Sequence, residues 1–234
     1  MPRQPRLEIP GVPLHVTQRG VNRCAIFLDD TDRHHYRRLL RDACRKHGVA
    51  IHAFVLMDNH VHLFLSSAMA GCVSRALRQA GQTYVQSFNQ RHRRIGTLWQ
   101  GRFKSSLVDS DTYALRVIRY IELNPVRAAM VERPEDYRWS SVHTHLGLAQ
   151  DPLLIPHPAY AGLGANRISR AAAYRDWLHA PLDPEEFSRI RAYMAQEKAL
   201  GDTRFQAMVE KTLNRSVVVR PRGRPRREGG TGVA

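Results

Sequence analysis

His60 and His62 flank Val61 in the segment DNHVHL. On a β-strand the two-residue period points both imidazoles to one face and Val61 to the other. Two imidazoles so placed can share one metal ion, although an isolated pair of this kind also occurs as plain decoration of a strand surface. A second set lies downstream. Tyr113, Val117, Tyr120 and Asn124 are spaced by four, three and four residues, which on a helix is one narrow stripe. Tyr120 and Asn124 then stand one turn apart, where a hydroxyl and an amide can reach a shared site. A tyrosine at a core edge is equally compatible with a buried ring and a wet hydroxyl. Tyr113, two turns earlier, is the rival nucleophile on that stripe. His143 and His145 form another His-x-His pair, but they follow Trp139-Ser140-Ser141 with no strand pattern and read as a decoy.

The elements that must position these groups alternate in type. Residues 13–19, 50–56 and 60–66 read as strands, the last two forming a hairpin around Met57, Asp58 and Asn59. Before the hairpin, Thr31 or Asp32 is set to cap a helix whose Tyr36, Leu39, Leu40 and Ala43 fall on one face, and Gly48 ends it. A second helix over about 72–92 carries Val73, Leu77, Ala80, Tyr84 and Phe88 on one stripe. Residues 103–108 give a further strand, and Asp109 to Asp111 cap a helix through about Asn124 whose Ala114, Ile118 and Ile121 should face the sheet. The order β-α-β-β-α-β-α predicts an α+β domain over residues 1–145. Its expected form is ferredoxin-like (RRM-like), a small antiparallel sheet with helices on one face. Beyond it, residues 150–213 read as a helical accessory module, with Asp183, Pro184 and Glu186 starting a helix that runs to Gly201. Residues 214–234 read as a disordered tail rich in Arg, Pro and Gly.

Charge narrows the function. The 234 residues include 36 Lys+Arg against 21 Asp+Glu, a formal net charge of +15 that calls for a polyanionic partner. The last 21 residues hold six Arg and one Glu, so +5 sits on the tail and +10 on the rest. With 43% hydrophobic residues the chain has enough apolar material for a core and is not disordered as a whole. The sequence contains neither an apolar run long enough to span a membrane nor the apolar stretch of a signal peptide at its start, so a cytoplasmic location is expected. Three widely spaced cysteines, Cys24, Cys44 and Cys72, indicate neither a disulfide framework nor a zinc ribbon.

Taken together, DNHVHL and RYIELNPVRA resemble the motifs of the single-tyrosine HUH transposases, particularly the REP-associated tyrosine transposases. PLHVTQRGVNR, LWQGRFKSSLV and the Trp139-Ser140-Ser141 segment extend the likeness over about residues 7–145. The resemblance implies that His60, His62 and Asn124 hold a divalent metal and that Tyr120 is the nucleophile. It further implies cleavage of single-stranded DNA through a 5′-phosphotyrosine and strand transfer by the freed 3′-hydroxyl, at hairpin-forming repeats of REP type. A phenol, with an ordinary pKa near 10, suits such reversible chemistry because phenolate is a good leaving group. Imidazole and amide ligands with open positions suit Mg²⁺ or Mn²⁺. Relatives in this family act as homodimers or as monomers, and both states stay open here.

Arg19, Arg23, Arg75, Arg78, Arg102, Lys104, Arg116 and Arg119 are distributed around the expected site as candidate phosphate contacts. In the tail, Arg222-Gly223-Arg224-Pro225 is similar to an AT-hook core, which would place Arg222 and Arg224 in the minor groove of AT-rich duplex. Two other readings compete. His15-Val16-Thr17 together with His60 and His62 suggests a metal-free two-histidine phosphoesterase, although the second His-x-Thr motif is missing. A catalytically silent relative that only holds structured nucleic acid is the alternative to an active enzyme.

Overall fold

The computed structural model describes residues 5–110, 113–181 and 183–220. Its elements run β1 (Leu14–Arg19), α1 (Asp30–Lys46), β2 (Val49–Met57), β3 (His60–Ser67), α2 (Cys72–Arg91), β4 (Lys104–Val108) and α3 (Ala114–Glu122). There follow α4 (Asn124–Arg127), α5 (Val142–His145), α6 (Pro158–Ala161), α7 (Arg167–His179), α8 (Pro184–Ala195), β5 (Ala199–Leu200) and α9 (Thr203–Leu213). The expected β-α-β-β-α-β-α order is present, and the architecture is α+β.

The sheet order is β2-β3-β1-β4-β5, antiparallel through β4 and completed by β5, which pairs with β4 in parallel. The sheet is therefore mixed at one edge. Asp58 and Asn59 close the β2–β3 hairpin as a two-residue loop, with Met57 opposite His60. The Asp58 and Asn59 carbonyls accept the amides of Ile26 and Gly20, which ties the hairpin tip to the loop after β1. Across the central pair, His62 lies opposite Thr17 and His60 opposite Arg19. A slip of one residue would send both imidazoles to the other face, so this register is a condition of the site.

Helices cover both faces, where the expected form had them on one, because α3 adds to the face opposite α1 and α2. The buried stripe of α1 (Tyr36, Leu40, Ala43) meets that of α2 (Val73, Leu77, Ala80, Tyr84, Phe88), and the pair packs onto β2 and β3. Val61, Leu63 and Leu65 are fully buried, each side chain contributing roughly 1.5–3 kcal/mol by leaving water. Helix α3 takes the opposite face, where Tyr120 meets the rings of His15 and His62. Its Ala114, Ile118 and Ile121 are fully buried as the stripe requires, and so is Glu122. The Glu122 carboxylate accepts the hydroxyls of Ser141 and Tyr174 and lies 2.6 Å from His145 Nδ1, so α3 is bonded to α5 and α7 through one side chain.

Three boundaries differ from expectation, each for a local reason. Helix α1 begins two residues early, because Asp29 caps it by accepting the amide of Asp32. The Asp32 side chain turns instead to the amide of Leu28 and to Arg91 and His92. Helix α3 has Tyr113 at its N-cap, whose amide donates to the Asp109 carbonyl, and Asp111 lies outside the described residues. The helix capped by Asp183 stops at Ala195 rather than Gly201, since Glu197 turns left-handed (φ 53°) and Ala199–Leu200 joins the sheet as β5. Residues 150–213 are thus helical around a two-residue strand, and Ser106 of β4 donates a hydrogen bond to the Lys198 carbonyl beside it. The tail residues Arg222 and Arg224 lie outside the described residues.

Candidate active site

A cleft of about 1020 Å³ opens beside the β1–β3 pair. His60, His62, Tyr120 and Asn124 all line it, as do Arg19, Gln100, Arg102 and Lys104. Strand period and helix period together explain the convergence: the same-face positions of β3 point at the stripe, running from α3 into α4, that carries Tyr120 and Asn124. The His60 and His62 rings are 5.1 Å apart, and the Tyr120 ring is 6.0 Å from that of His62.

Each potential ligand is oriented by a neighbour. Asn59 donates from Nδ2 to the Arg23 carbonyl, which leaves its Oδ1 facing His60 Nδ1 at 2.7 Å. His60 therefore carries its proton on Nδ1 and its lone pair on Nε2. His62 Nδ1 lies 2.9 Å from His15 Nε2. When His62 is the donor in that pair, its own Nε2 is open to a ligand. Burial drives His15 down to about 3, and burial together with Arg19 drives His60 down to about 4. His62 lies well below the ordinary range, through burial first and then repulsion from His15, His60, Arg19 and Arg127. All three rings are neutral at pH 7, the state in which imidazole binds metal.

Asn124 is positioned by a proline. Pro125 has no N–H, so the Ile121 carbonyl loses its normal helical donor. Asn124 Nδ2 replaces it, donating to the Tyr120 and Ile121 carbonyls at 2.9 and 3.3 Å. The amide nitrogen is thereby committed, and Oδ1 remains as the acceptor. Among the described residues no three His, Cys, Asp or Glu side chains form a metal-holding group. Asn124 is a donor of another type that lines the same cleft as His60 and His62. The donor set fits a hard divalent cation.

The other candidates divide. Tyr113 lies away from the histidines, against the guanidinium groups of Arg116 and Arg189. His143 and His145 sit on α5, bonded to the Glu135 carbonyl and to Glu122. His15 is almost wholly buried beneath His62 and does not line the cleft, as a two-histidine phosphoesterase would need. Arg23 lines a smaller cavity of about 520 Å³ that continues past His60 with Arg19 and Asn59. Arg78 is exposed on α2 outside both cavities, and Arg75 bonds Cys72 Sγ. Arg116 pairs with Glu186, and Arg119 is buried, donating to the Leu178 and Ala180 carbonyls and stacked on Trp177. Both guanidinium groups thus help to seat α7 and α8 against α3.

Sequence reasoning missed the far wall of the cleft, where Arg6, Arg191, Lys198 and Arg215 stand, and Arg127 beside Tyr120. Only Arg127 had a local signal, three residues after Asn124 and seven after Tyr120.

Residues 10–124 match the family described as Transposase IS200 like. The chain is similar in fold to a REP-associated tyrosine transposase solved bound to a REP hairpin, at 20% identity and TM-score 0.56, covering 68% of this chain and 93% of that one. A Deinococcus radiodurans R1 protein described as a transposase superposes at TM-score 0.37 and 18% identity, covering 51% and 95% of the two chains, too weakly to carry an argument. No curated protein matches the sequence. No helix among the described residues is long and apolar enough to cross a membrane.

Proposed function

Residues 10–124 match the IS200-like transposase family, and from that match we propose that the chain cleaves and rejoins single-stranded DNA with Tyr120 as its nucleophile. The observation that carries this reading is the shared cleft of Tyr120, His60, His62 and Asn124, in which His60 Nδ1, His62 Nδ1 and Asn124 Nδ2 are each engaged by a neighbour. His60, His62 and Asn124 are the residues that would hold Mg²⁺ or Mn²⁺. When bound, the cation supplies positive charge to the non-bridging phosphate oxygens, which otherwise repel a nucleophile.

The chain's own groups do the rest. Arg102, Lys104 and Arg19 attract the strand, and Gln100 offers an amide for hydrogen bonding at the same wall. Tyr120 Oη attacks phosphorus; the Oη–P bond forms as the P–O3′ bond breaks. The phenolic proton passes to solvent, and the departing 3′-oxygen takes one up. The 5′-phosphotyrosine retains the energy of the broken ester, so a 3′-hydroxyl can later displace the phenolate and join strands without a nucleotide cofactor. A hairpin-forming repeat of REP type is the substrate proposed, following the family and the hairpin bound by the structural neighbour.

The protein incubated with Mn²⁺ and a single strand carrying such a hairpin should form a covalent adduct resolved by denaturing electrophoresis. Tyr120→Phe should abolish the adduct, and Tyr113→Phe should retain it. An adduct formed by Tyr120→Phe would remove the assignment, and specific hairpin binding without cleavage under either metal would select a silent binding protein.

A further inference from the structure

Arg127 sits one helical turn beyond Asn124, on α4, and lines the cleft together with Tyr120, His62 and Asn124. Its guanidinium carbon lies 4.8 Å from the centre of the Tyr120 ring and 5.0 Å from that of Phe187, and the two rings are themselves 5.5 Å apart. The planar group is thus held by stacking on the nucleophile's own ring and on α8. Its Nη1 is buried and has no hydrogen-bond partner among the described residues, and no carboxylate among them pairs with it. A buried cationic N–H left unpaired is costly unless a ligand completes it.

We propose that Arg127 is a further catalytic residue, one that grips a non-bridging oxygen of the scissile phosphate while Tyr120 attacks it. The inference rests on the reading of Tyr120 as nucleophile. A guanidinium fixed by two rings meets phosphate as a preorganised fork. Negative charge grows on the phosphoryl oxygens as the Oη–P bond forms and the P–O3′ bond breaks, and Arg127 offsets it in both directions of the reaction without gaining or losing a proton. A purely structural alternative exists, in which the guanidinium only fastens α4 to Phe187.

The test separates the two by removing the oxygen rather than the arginine. Single-turnover cleavage of a hairpin strand is compared for the wild type, Arg127→Met and Arg127→Lys, on the native phosphate and on the two separated methylphosphonate diastereomers. On phosphate, Arg127→Met should cleave ~100- to 1000-fold more slowly, in the range seen when one oxyanion donor is removed. Arg127→Lys, which keeps the charge without the fork, should fall between. On one methylphosphonate diastereomer the wild type and Arg127→Met should cleave at the same rate, because the oxygen that Arg127 contacts is gone. An undiminished defect on both diastereomers assigns Arg127 a structural role and overturns the proposal, as does wild-type cleavage of phosphate by Arg127→Met. Absence of any wild-type adduct on native phosphate would instead fail the Tyr120 reading, and the inference with it.

Discussion

His15 shows how much one buried side chain can decide. It stands opposite Phe64 in the β1–β3 register, yet its ring leans diagonally toward His62 and meets Nδ1 at 2.9 Å. If His62 is a ligand, its tautomer depends on that contact, and outer partners of this kind typically change metal affinity by ~10- to 100-fold. His15→Ala should weaken Mn²⁺ binding by about that factor, read by electron paramagnetic resonance titration of the free ion with no DNA present. His15→Gln, whose amide can still accept from Nδ1, should lose less. Equal Mn²⁺ affinity in all three proteins would mean that His62 is oriented by something other than His15. The arginines give the contrary lesson at this scale. Arg116 and Arg119 flank the stripe of Tyr120 in sequence, but one is ion-paired and the other buried. Residue type announced a phosphate ligand there; the neighbours that consume the charge come from α7 and α8, far along the chain.

At the scale of elements, α3 must be held rigidly if Tyr120 is to face the histidines. Its apolar stripe seats it on the sheet, and Glu122 fixes it from behind through Ser141, His145 and Tyr174. Replacing Glu122 by Leu strands the buried His145 Nδ1 and the Tyr174 hydroxyl, each costing about 1–3 kcal/mol, while Ser141 keeps its bonds to Phe54. Urea unfolding of Glu122→Leu should therefore show a loss of about 2 kcal/mol or more, with a smaller loss for Glu122→Gln. A loss under about 1 kcal/mol would show that this buried knot does not secure the helix. Helix α3 was legible from its period, and so were the two central strands of the sheet. What the periodicity concealed was continuation past the proline. Leu123 stays helical (φ −86°, ψ 0°), and that is why Arg127 returns to the face of Tyr120.

Across the whole molecule, the cleft gathers cations from distant parts of the chain: Lys104 on β4, Arg191 on α8 and Lys198 on the segment leading into β5. A strand lying along them would release counterions from each. The affinity of the Tyr120→Phe protein for a single-stranded hairpin substrate should fall linearly with the logarithm of salt concentration, and Lys104→Ala and Arg191→Ala should each flatten the slope by about 0.7. Fluorescence anisotropy over a salt series measures this. An unchanged slope for Arg191→Ala would place the strand away from α8. The net +15 foretold a polyanion, but charge carries no address, and the wall built by residues 191–216 had no sequence signature.

The sequence by itself determined what short periods can specify. The paired histidines share one strand face, Tyr120 and Asn124 share one helix stripe, and the alternation of strands and helices makes an α+β sheet. These follow from repeats of two and 3.6 residues, which act between neighbours in the chain. Tertiary structure decided what lies across the sheet or beyond the proline: His15 beneath His62, Arg127 over Tyr120 with Phe187 behind it, β5 beside β4, and the commitment of Arg116 and Arg119 to helix packing. Those contacts join residues up to about 90 positions apart. They exist only once strand register and helix packing have closed the chain on itself, and no local spacing encodes them.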